Sequence, residues 1–217
     1  MARKVGPQGA RTAAVIRDAG LTLIARHGYE AMSLRQLAAE VGLRPASLYN
    51  HFETKQDLLF DLVRDHLVDL LGRTDAALAA AGPRPLERLL AFVANHVLYH
   101  LDRKREVTVA NLELRSLEPR NLDAALALRR SYEDRLIGVL DAGAATGAFA
   151  VGETRVVAYA ILAMLTGACT WYRAGGRLSE ADMVRIHADL VLGGLGAART
   201  GAARPAGPDK PRLVARS

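Results

Sequence analysis

Residues 33–52 read SLRQLAAEVGLRPASLYNHF, and this stretch decides the fold. Ser33, followed by Gln36 three residues later, predicts a capped helix start, and Gly42 predicts the end of that helix. Pro45 predicts the first turn of a second helix, where the missing N–H is tolerated. Two helices joined by so short a turn containing glycine are typical of a helix-turn-helix.

In this motif the second helix lies in the DNA major groove, with its N-terminal residues at the base edges. We predict that helix over 46–51, with Leu48 and Phe52 facing inward because they are four residues apart. The outward side chains are then Ala46, Ser47, Tyr49, Asn50 and His51. The small side chains among them permit close approach to the bases, whereas Tyr49 is expected to contact a phosphate.

Helical periodicity continues on both sides of the motif. Apolar residues recur at helical spacing from Arg11 to Gly28, and Thr54 with Asp57 predicts a capped fourth helix that runs to Leu71. Five further helices are predicted at 86–101, 106–117, 119–145, 153–173 and 179–195. Because no strand alternation occurs, we predict an all-α chain of about nine helices, with a three-helix helix-turn-helix domain followed by a helical bundle.

The formal charge of +6 is concentrated at the two ends of the chain. Residues 1–53 contain seven Lys or Arg against four Asp or Glu, and residues 199–217 contain five against one. A basic N-terminal segment suits a phosphate-binding surface, although such a charge can also serve solubility alone.

Several classes of protein are disfavoured. Cys169 is the single cysteine, so neither a disulfide framework nor a zinc site is expected. No signal peptide is recognisable, and no run reaches the ~18 apolar residues of a membrane helix. The chain carries no nucleophile elbow, phosphate loop or zinc-protease motif. We therefore expect a cytoplasmic protein that is not an enzyme, with no metal, cofactor or membrane partner.

The motif and its flanks resemble the DNA-binding signature of the TetR family of transcriptional regulators. The resemblance rests on the motif itself with Lys55, and on Ile16, Ala19, His27-Gly28-Tyr29 and Leu58 around it. It implies that Ser33 and Lys55 meet phosphates at helix N-termini, that Tyr49 and His51 meet the DNA backbone, and that the base-reading residues lie within 44–50. The DNA-binding residues implied are Ser33, Arg44, Pro45, Ala46, Ser47, Tyr49, Asn50, His51 and Lys55. The pair Arg44-Pro45 departs from the small polar residues often found there.

The resemblance also implies an organisation and a function. We expect a flexible basic arm at 1–9, the DNA-binding domain at 10–55, an effector-binding and dimerisation domain at 56–197, and a disordered tail at 198–217. The last two long helices of each protomer would form a homodimer seam, to which Leu190, Val191 and Leu195 are expected to contribute. The function implied is sequence-specific repression, with a small hydrophobic effector releasing the dimer from palindromic operator DNA in the nucleoid.

The neighbourhood of Trp171-Tyr172-Arg173 resembles a subgroup that regulates steroid and fatty-acid catabolism in response to acyl-coenzyme A. The candidate effector-pocket residues are His96, His100, Arg115, Trp171 and Arg173. Cations available for effector phosphates are Arg103, Lys104, Arg105, Arg129, Arg130, Arg173 and Arg177. His96 and His100 also have the spacing of a shared metal ligand pair, but no acidic or cysteine partner is near them in sequence.

Two other functions stay open. An apolar helical pocket containing histidines is compatible with an enzyme, although the motif favours DNA binding. An architectural DNA-binding protein without an effector is the second alternative. An enclosed pocket of a few hundred cubic ångströms in the C-terminal domain distinguishes a ligand-responsive regulator from that alternative.

Overall fold

The computed structural model describes residues 7–197, which form nine α-helices, one short 3₁₀ helix and no strand. The helices are α1 (Pro7–His27), α2 (Leu34–Glu40), α3 (Pro45–Leu48), α4 (Lys55–Ala80), α5 (Pro85–Asp102), α6 (Lys104–Leu112), α7 (Pro119–Ala145), α8 (Thr154–Trp171) and α9 (Glu180–Gly194), with the 3₁₀ helix at Leu114–Ser116. The all-α prediction is confirmed for this part of the chain. The predicted tail and residues 1–6 of the predicted arm lie outside the described residues.

The first helix begins earlier than the sequence suggests. Residues 7–9 were assigned to the arm because they contain glycine and proline, but α1 starts at Pro7. Proline is well tolerated at the first position of a helix, since the N–H it lacks has no partner there in any case. The arm is therefore at least three residues shorter than predicted.

Helices α1 to α3 and the first half of α4 enclose one hydrophobic core. Ile16, Leu37, Leu48 and Leu59 are fully buried in it. Helix α1 approaches α4 closely at Gly20, where an added Cβ would lie 2.9 Å from a methyl carbon of Leu58. This packing fixes the orientation of the two short helices that carry the predicted DNA-binding residues.

Helix α4 belongs to both halves of the molecule. Its residues up to Leu67 pack in the first core, whereas Leu70 and Leu78 pack in a second core formed with α5 and α7 to α9. The helix ends at Ala80, nine residues beyond the predicted Leu71. The prediction missed this extension because Thr74, a polar residue, occupies a buried position, where its hydroxyl donates to the carbonyl of Leu70 at 2.8 Å.

The second core is built around α5, which packs against α4, α7, α8 and α9. The predicted helix 106–117 is in fact divided: α6 ends at Leu112, and the 3₁₀ helix follows. The division occurs at Glu113, whose carboxylate accepts a hydrogen bond from the hydroxyl of Ser116 at 2.8 Å and another from the backbone N–H of Tyr29 at 3.1 Å. Helix α6 thus ends where Glu113 bonds to Tyr29 of the first domain.

Candidate DNA interface and effector cavity

The turn between α2 and α3 has the geometry of a helix-turn-helix. The hydroxyl of Ser33 accepts from the backbone N–H of Gln36 at 3.1 Å, so the predicted cap is confirmed. The spacing of Ser33 and Gln36 also predicts a return bond from the Gln36 side chain to the backbone of Ser33, as in a complete capping box, and this bond is not formed. Gly42 adopts φ +66°, a left-handed conformation that glycine takes without steric cost, and the N–H of Leu43 bonds back to the carbonyl of Ala38 at 2.9 Å.

Helix α3 is a single turn that ends at Leu48, so the predicted end at His51 is wrong. The chain continues as tight turns, in which the N–H of Asn50 bonds to the carbonyl of Ser47 and that of His51 to the carbonyl of Leu48. Leu48 and Phe52 are buried as predicted, at 0% and 8% exposure. Because Leu48 and Phe52 face the core, Tyr49, Asn50 and His51 between them face partly or fully toward solvent.

None of the predicted DNA-binding side chains is fully buried. Exposed side chains are those of Ser33, Arg44, Pro45, Ala46, Tyr49 and Asn50, and half-buried side chains are those of Ser47, His51 and Lys55. The exposed fraction of Tyr49 is 56%, high for so large an apolar ring, which leaves its hydroxyl free to reach a phosphate.

Lys55 is held more firmly than a free surface lysine. Its ammonium donates to the carbonyl of Glu30 at 3.2 Å and lies 4.1 Å from the ring centroid of Tyr29. A lysine has three N–H donors, so two are left for a phosphate. Lys55 is also the first residue of α4, which starts with a complete capping box between Thr54 and Asp57.

A cavity of about 740 Å³, broadly open to solvent rather than enclosed, lies in the second half of the molecule. Helices α6, α7 and α8 form its walls through Lys104, Val107, Thr108, Asn111, Leu112, Arg129, Glu133, Tyr159, Leu162, Ala163, Thr166, Gly167, Cys169 and Thr170. We call it the main cavity. Its walls combine aliphatic side chains with two cations and one carboxylate, a composition suited to an amphipathic ligand.

A smaller cavity of about 60 Å³, here called the chamber, adjoins the main cavity. The two share Asn111, Arg129, Glu133, Leu162 and Thr166. Buried side chains from α4, α5 and α7 complete the chamber, among them His66, His96, His100 and Tyr132. Burial lowers the pKa of His100 to about 4, and burial together with the nearby His100 lowers the pKa of His66 to about 4.

The predicted effector residues are only partly brought together. His96 and His100 line the chamber, and Arg129 and Lys104 line the main cavity. Arg115, Trp171 and Arg173 line neither cavity and are exposed. The sequence prediction missed His66, because it occupies a position on the apolar stripe of α4 between Val63 and Leu70, where a histidine resembles any other core residue.

The spacing of His96 and His100 does not produce a metal site among residues 7–197, where no cluster of three or more ligating side chains is found. The two rings stack, with centroids 3.7 Å apart and planes inclined by 5°. His96 bonds to the hydroxyl of Tyr132 at 2.6 Å and to that of Thr166 at 3.2 Å. Both nitrogens of His96 are therefore already engaged by protein.

Helix α6 joins the main cavity to the first domain. Arg105 donates to the carboxylate of Asp18 at 2.9 Å and to the hydroxyl of Thr22 at 2.6 Å, both on α1. On the same helix, Val109 and Ala110 pack in the first core, next to the cavity-lining Thr108 and Asn111. Helix α6 therefore contacts both the main cavity and α1.

The 3₁₀ helix makes a second connection. The side-chain amide of Gln56, in the first turn of α4, donates to the carbonyl of Ser116 at 2.6 Å. Its amide oxygen accepts from the N–H of Glu118 at 3.1 Å. Together with the bond between Glu113 and Tyr29, this contact ties the end of α6 to both ends of the helix-turn-helix.

An exposed apolar surface runs along α8 and α9. Val156, Tyr159, Trp171 and Leu190 expose between 46% and 62% of their surface. Only 22% of α8 is buried within the protomer, and among residues 7–197 it is the one helix long and apolar enough to span a membrane. The predicted seam residues Val191 and Leu195 are instead buried in the protomer's own core, so that part of the seam prediction is wrong.

These features define a helix-turn-helix DNA-binding protein with a helical second domain that contains a cavity. Family comparisons agree with this class. Residues 16–62 match the model of bacterial regulatory proteins of the tetR family, and residues 82–195 match a tetracycline repressor-like C-terminal domain. The chain belongs to the TetR family of transcriptional regulators.

Individual relatives support the assignment over nearly the full length. The transcriptional repressor KstR2 of Rhodococcus jostii is 28% identical over 200 residues, which cover 88% of this chain and 93% of the relative. A tetR-family regulatory protein from Rhodococcus RHA1 superimposes with a TM-score of 0.81 at 27% identity, covering 87% and 99% of the two chains. AibR, solved with isovaleryl coenzyme A and operator DNA, has a TM-score of 0.76 at 22% identity over 82% and 97% of the chains, a likeness of fold.

Proposed function

We propose that this protein is a homodimeric transcriptional repressor that a coenzyme A thioester releases from a palindromic operator. The observation that carries the proposal is the double role of α6, which lines the main cavity and is bonded to α1 through Arg105. The relatives are regulators, which supports a role other than enzymatic, in the cytoplasm and at the nucleoid.

The chemistry of the main cavity supports a thioester. Leu162, Ala163 and Val107 offer an apolar surface for an acyl group, and Lys104 and Arg129 offer positive charge for phosphates. AibR, which shares the fold, is described with isovaleryl coenzyme A and operator DNA. Arg115 and Arg173, which lie away from the cavity, are not part of this proposal.

The mechanism is a shift between two populated conformations. Both recognition segments of a dimer must enter successive major grooves, roughly 34 to 36 Å apart. A ligand that favours one position of α6 changes the position of α1 through Arg105, and that of α4 through Gln56. The ligand acts only through its different affinities for the two conformations.

The test begins with an operator obtained by selecting bound duplexes from random DNA. Octanoyl-coenzyme A is then titrated into the labelled complex while fluorescence anisotropy reports release. Free coenzyme A and octanoic acid are the matched controls, since each supplies half of the thioester. We expect the thioester alone to release the DNA; release by no acyl-coenzyme A from acetyl to palmitoyl would reject this effector class and leave DNA binding untouched.

A further inference from the structure

The chamber contains polar atoms that the protein itself leaves without partners. His66 and His100 are 6% and 4% exposed and both line it. Each ring uses Nδ1 in a hydrogen bond within the protein, whereas neither Nε2 has one. Neither Nε2 is sealed off from its surroundings. Both Nε2 atoms are thus accessible, and each can take a hydrogen-bond partner from a molecule that enters the chamber.

The protonation of His100 follows from its one hydrogen bond. Its Nδ1 lies 2.8 Å from the backbone carbonyl oxygen of His96. A carbonyl oxygen only accepts, so Nδ1 carries the proton. Burial keeps the ring neutral, which leaves a lone pair on Nε2. His100 therefore offers an acceptor to the chamber, and its stacking on His96 fixes the direction of that acceptor.

His66 reaches the same state by a different route. The hydroxyl of Tyr99 donates its single proton to the backbone carbonyl of His66 at 3.1 Å. The same hydroxyl oxygen lies 3.3 Å from Nδ1 of His66, so Nδ1 must be the donor in that contact. Nε2 of the neutral ring is again an acceptor. Two histidine acceptors thus border one small space.

The charges around the chamber favour a neutral partner. Arg129 and Glu133, one turn apart on α7, both border the chamber, so their charges offset each other. The surroundings already lower the pKa of both histidines, which shows that they disfavour an added positive charge. An ammonium group is therefore disfavoured in the chamber. A group that can only accept hydrogen bonds, such as a ketone, is also disfavoured, because its lone pairs would face those on the histidine Nε2 atoms.

We infer that the chamber binds a neutral hydroxyl group of the effector, which donates a hydrogen bond to Nε2 of His100, with Nε2 of His66 as the neighbouring acceptor. The inference rests on the proposed function in one respect, that the main cavity admits an effector. It adds the chemistry of that effector: a hydroxyl carried on the apolar part that lies against Leu162. The apolar part of the proposed effector is thus hydroxylated.

The test compares cyclohexanol with cyclohexanone, because the two rings differ mainly in whether the oxygen can donate. Binding is measured by isothermal titration to the full chain without coenzyme A, so the outcome does not depend on the thioester. His100→Phe keeps a flat ring against His96 and removes the acceptor. His187→Phe is the matched control, since His187 is also buried and also bonds the carbonyl four residues before it, at 2.7 Å, but lines neither cavity.

We expect cyclohexanol to bind about tenfold more tightly than cyclohexanone to the unaltered protein, the usual worth of one hydrogen bond. The ratio should fall to about one in His100→Phe and persist in His187→Phe. Equal binding, preference for the ketone, no binding of either compound, or a ratio that persists in His100→Phe would overturn the inference. The first three of these results are measured on the unaltered protein, so the inference can be rejected even if a variant folds poorly. Failure of octanoyl-coenzyme A to release DNA rejects the proposed effector class instead.

Discussion

Acidification should destabilise this protein through its buried histidines. His66 and His100 each have a pKa of about 4 in the folded state, against 6.5 for an unperturbed histidine. Above pH 6.5 both rings are neutral in the folded and unfolded chains, and stability is unaffected. As the pH falls from 6.5 toward 4, the unfolded chain binds protons that the folded chain refuses, so the free energy of unfolding decreases.

The magnitude follows from the difference in pKa. Between pH 7 and pH 5 each histidine costs about 1.8 kcal/mol, so the two together cost about 3.6 kcal/mol per protomer. This is a large fraction of the ~5 to 15 kcal/mol that stabilises an ordinary domain. The pKa of His96 is also lowered by burial, which adds to the loss.

Urea unfolding at pH 7 and pH 5, followed by circular dichroism at one fixed protein concentration, measures this loss. The matched comparison is His100→Phe, which should lose about 1.8 kcal/mol less than the unaltered protein over the same interval. The urea dependence of the free energy should stay the same in both proteins, as a check that the folded and unfolded states are comparable. Equal pH dependence in the two proteins would refute the assignment of a buried neutral ring to His100.

Three further predictions address DNA, coupling and assembly. Lys55→Ala should reduce the slope of log binding constant against log salt concentration by about 1.8, because one phosphate contact is lost in each half-site. Tyr49→Phe should weaken operator binding severalfold without changing that slope. An unchanged slope for Lys55→Ala would mean that the ammonium of Lys55 contacts only Tyr29 and Glu30 and no phosphate. Gln56→Leu removes both hydrogen bonds to the segment around Ser116. About tenfold more effector should then be needed to release the DNA in the anisotropy titration. An unchanged midpoint would show that Gln56 does not couple the effector to DNA binding. Leu190→Glu puts a charge on the exposed face of α9 and should convert dimers to monomers in sedimentation experiments, unlike a charge at the exposed Val15 of α1, which belongs to the first domain.

Features set by local chemistry were predictable from the sequence. The caps at Ser33, Thr54 and Ser179 depend on residues three positions apart, and all three are present. The turn at Gly42 likewise depends on one residue's tolerance of positive φ. These signals suffice to place the helix-turn-helix, because both of its helices are short and each begins with its own signal.

Features set by distant contacts were not predictable. The helix expected at 106–117 is divided because Glu113 bonds to Tyr29, a residue 84 positions away in the chain. The subgroup resemblance predicts Trp171 near the effector, but the direction of its side chain depends on how α8 packs. The ring lies 6.4 Å from that of His187, outside the cavities. No periodicity in the sequence contains this information.

Tyr159 has a consequence for the assembled repressor. The ring lines the main cavity and is also 46% exposed on the apolar surface of α8. In a dimer joined through that surface, Tyr159 would contact both the ligand in its own protomer's cavity and the partner protomer. Occupancy and subunit affinity then become linked quantities, and the two sites of a dimer can fill cooperatively. Such coupling would make the response to the effector steeper than one independent site allows.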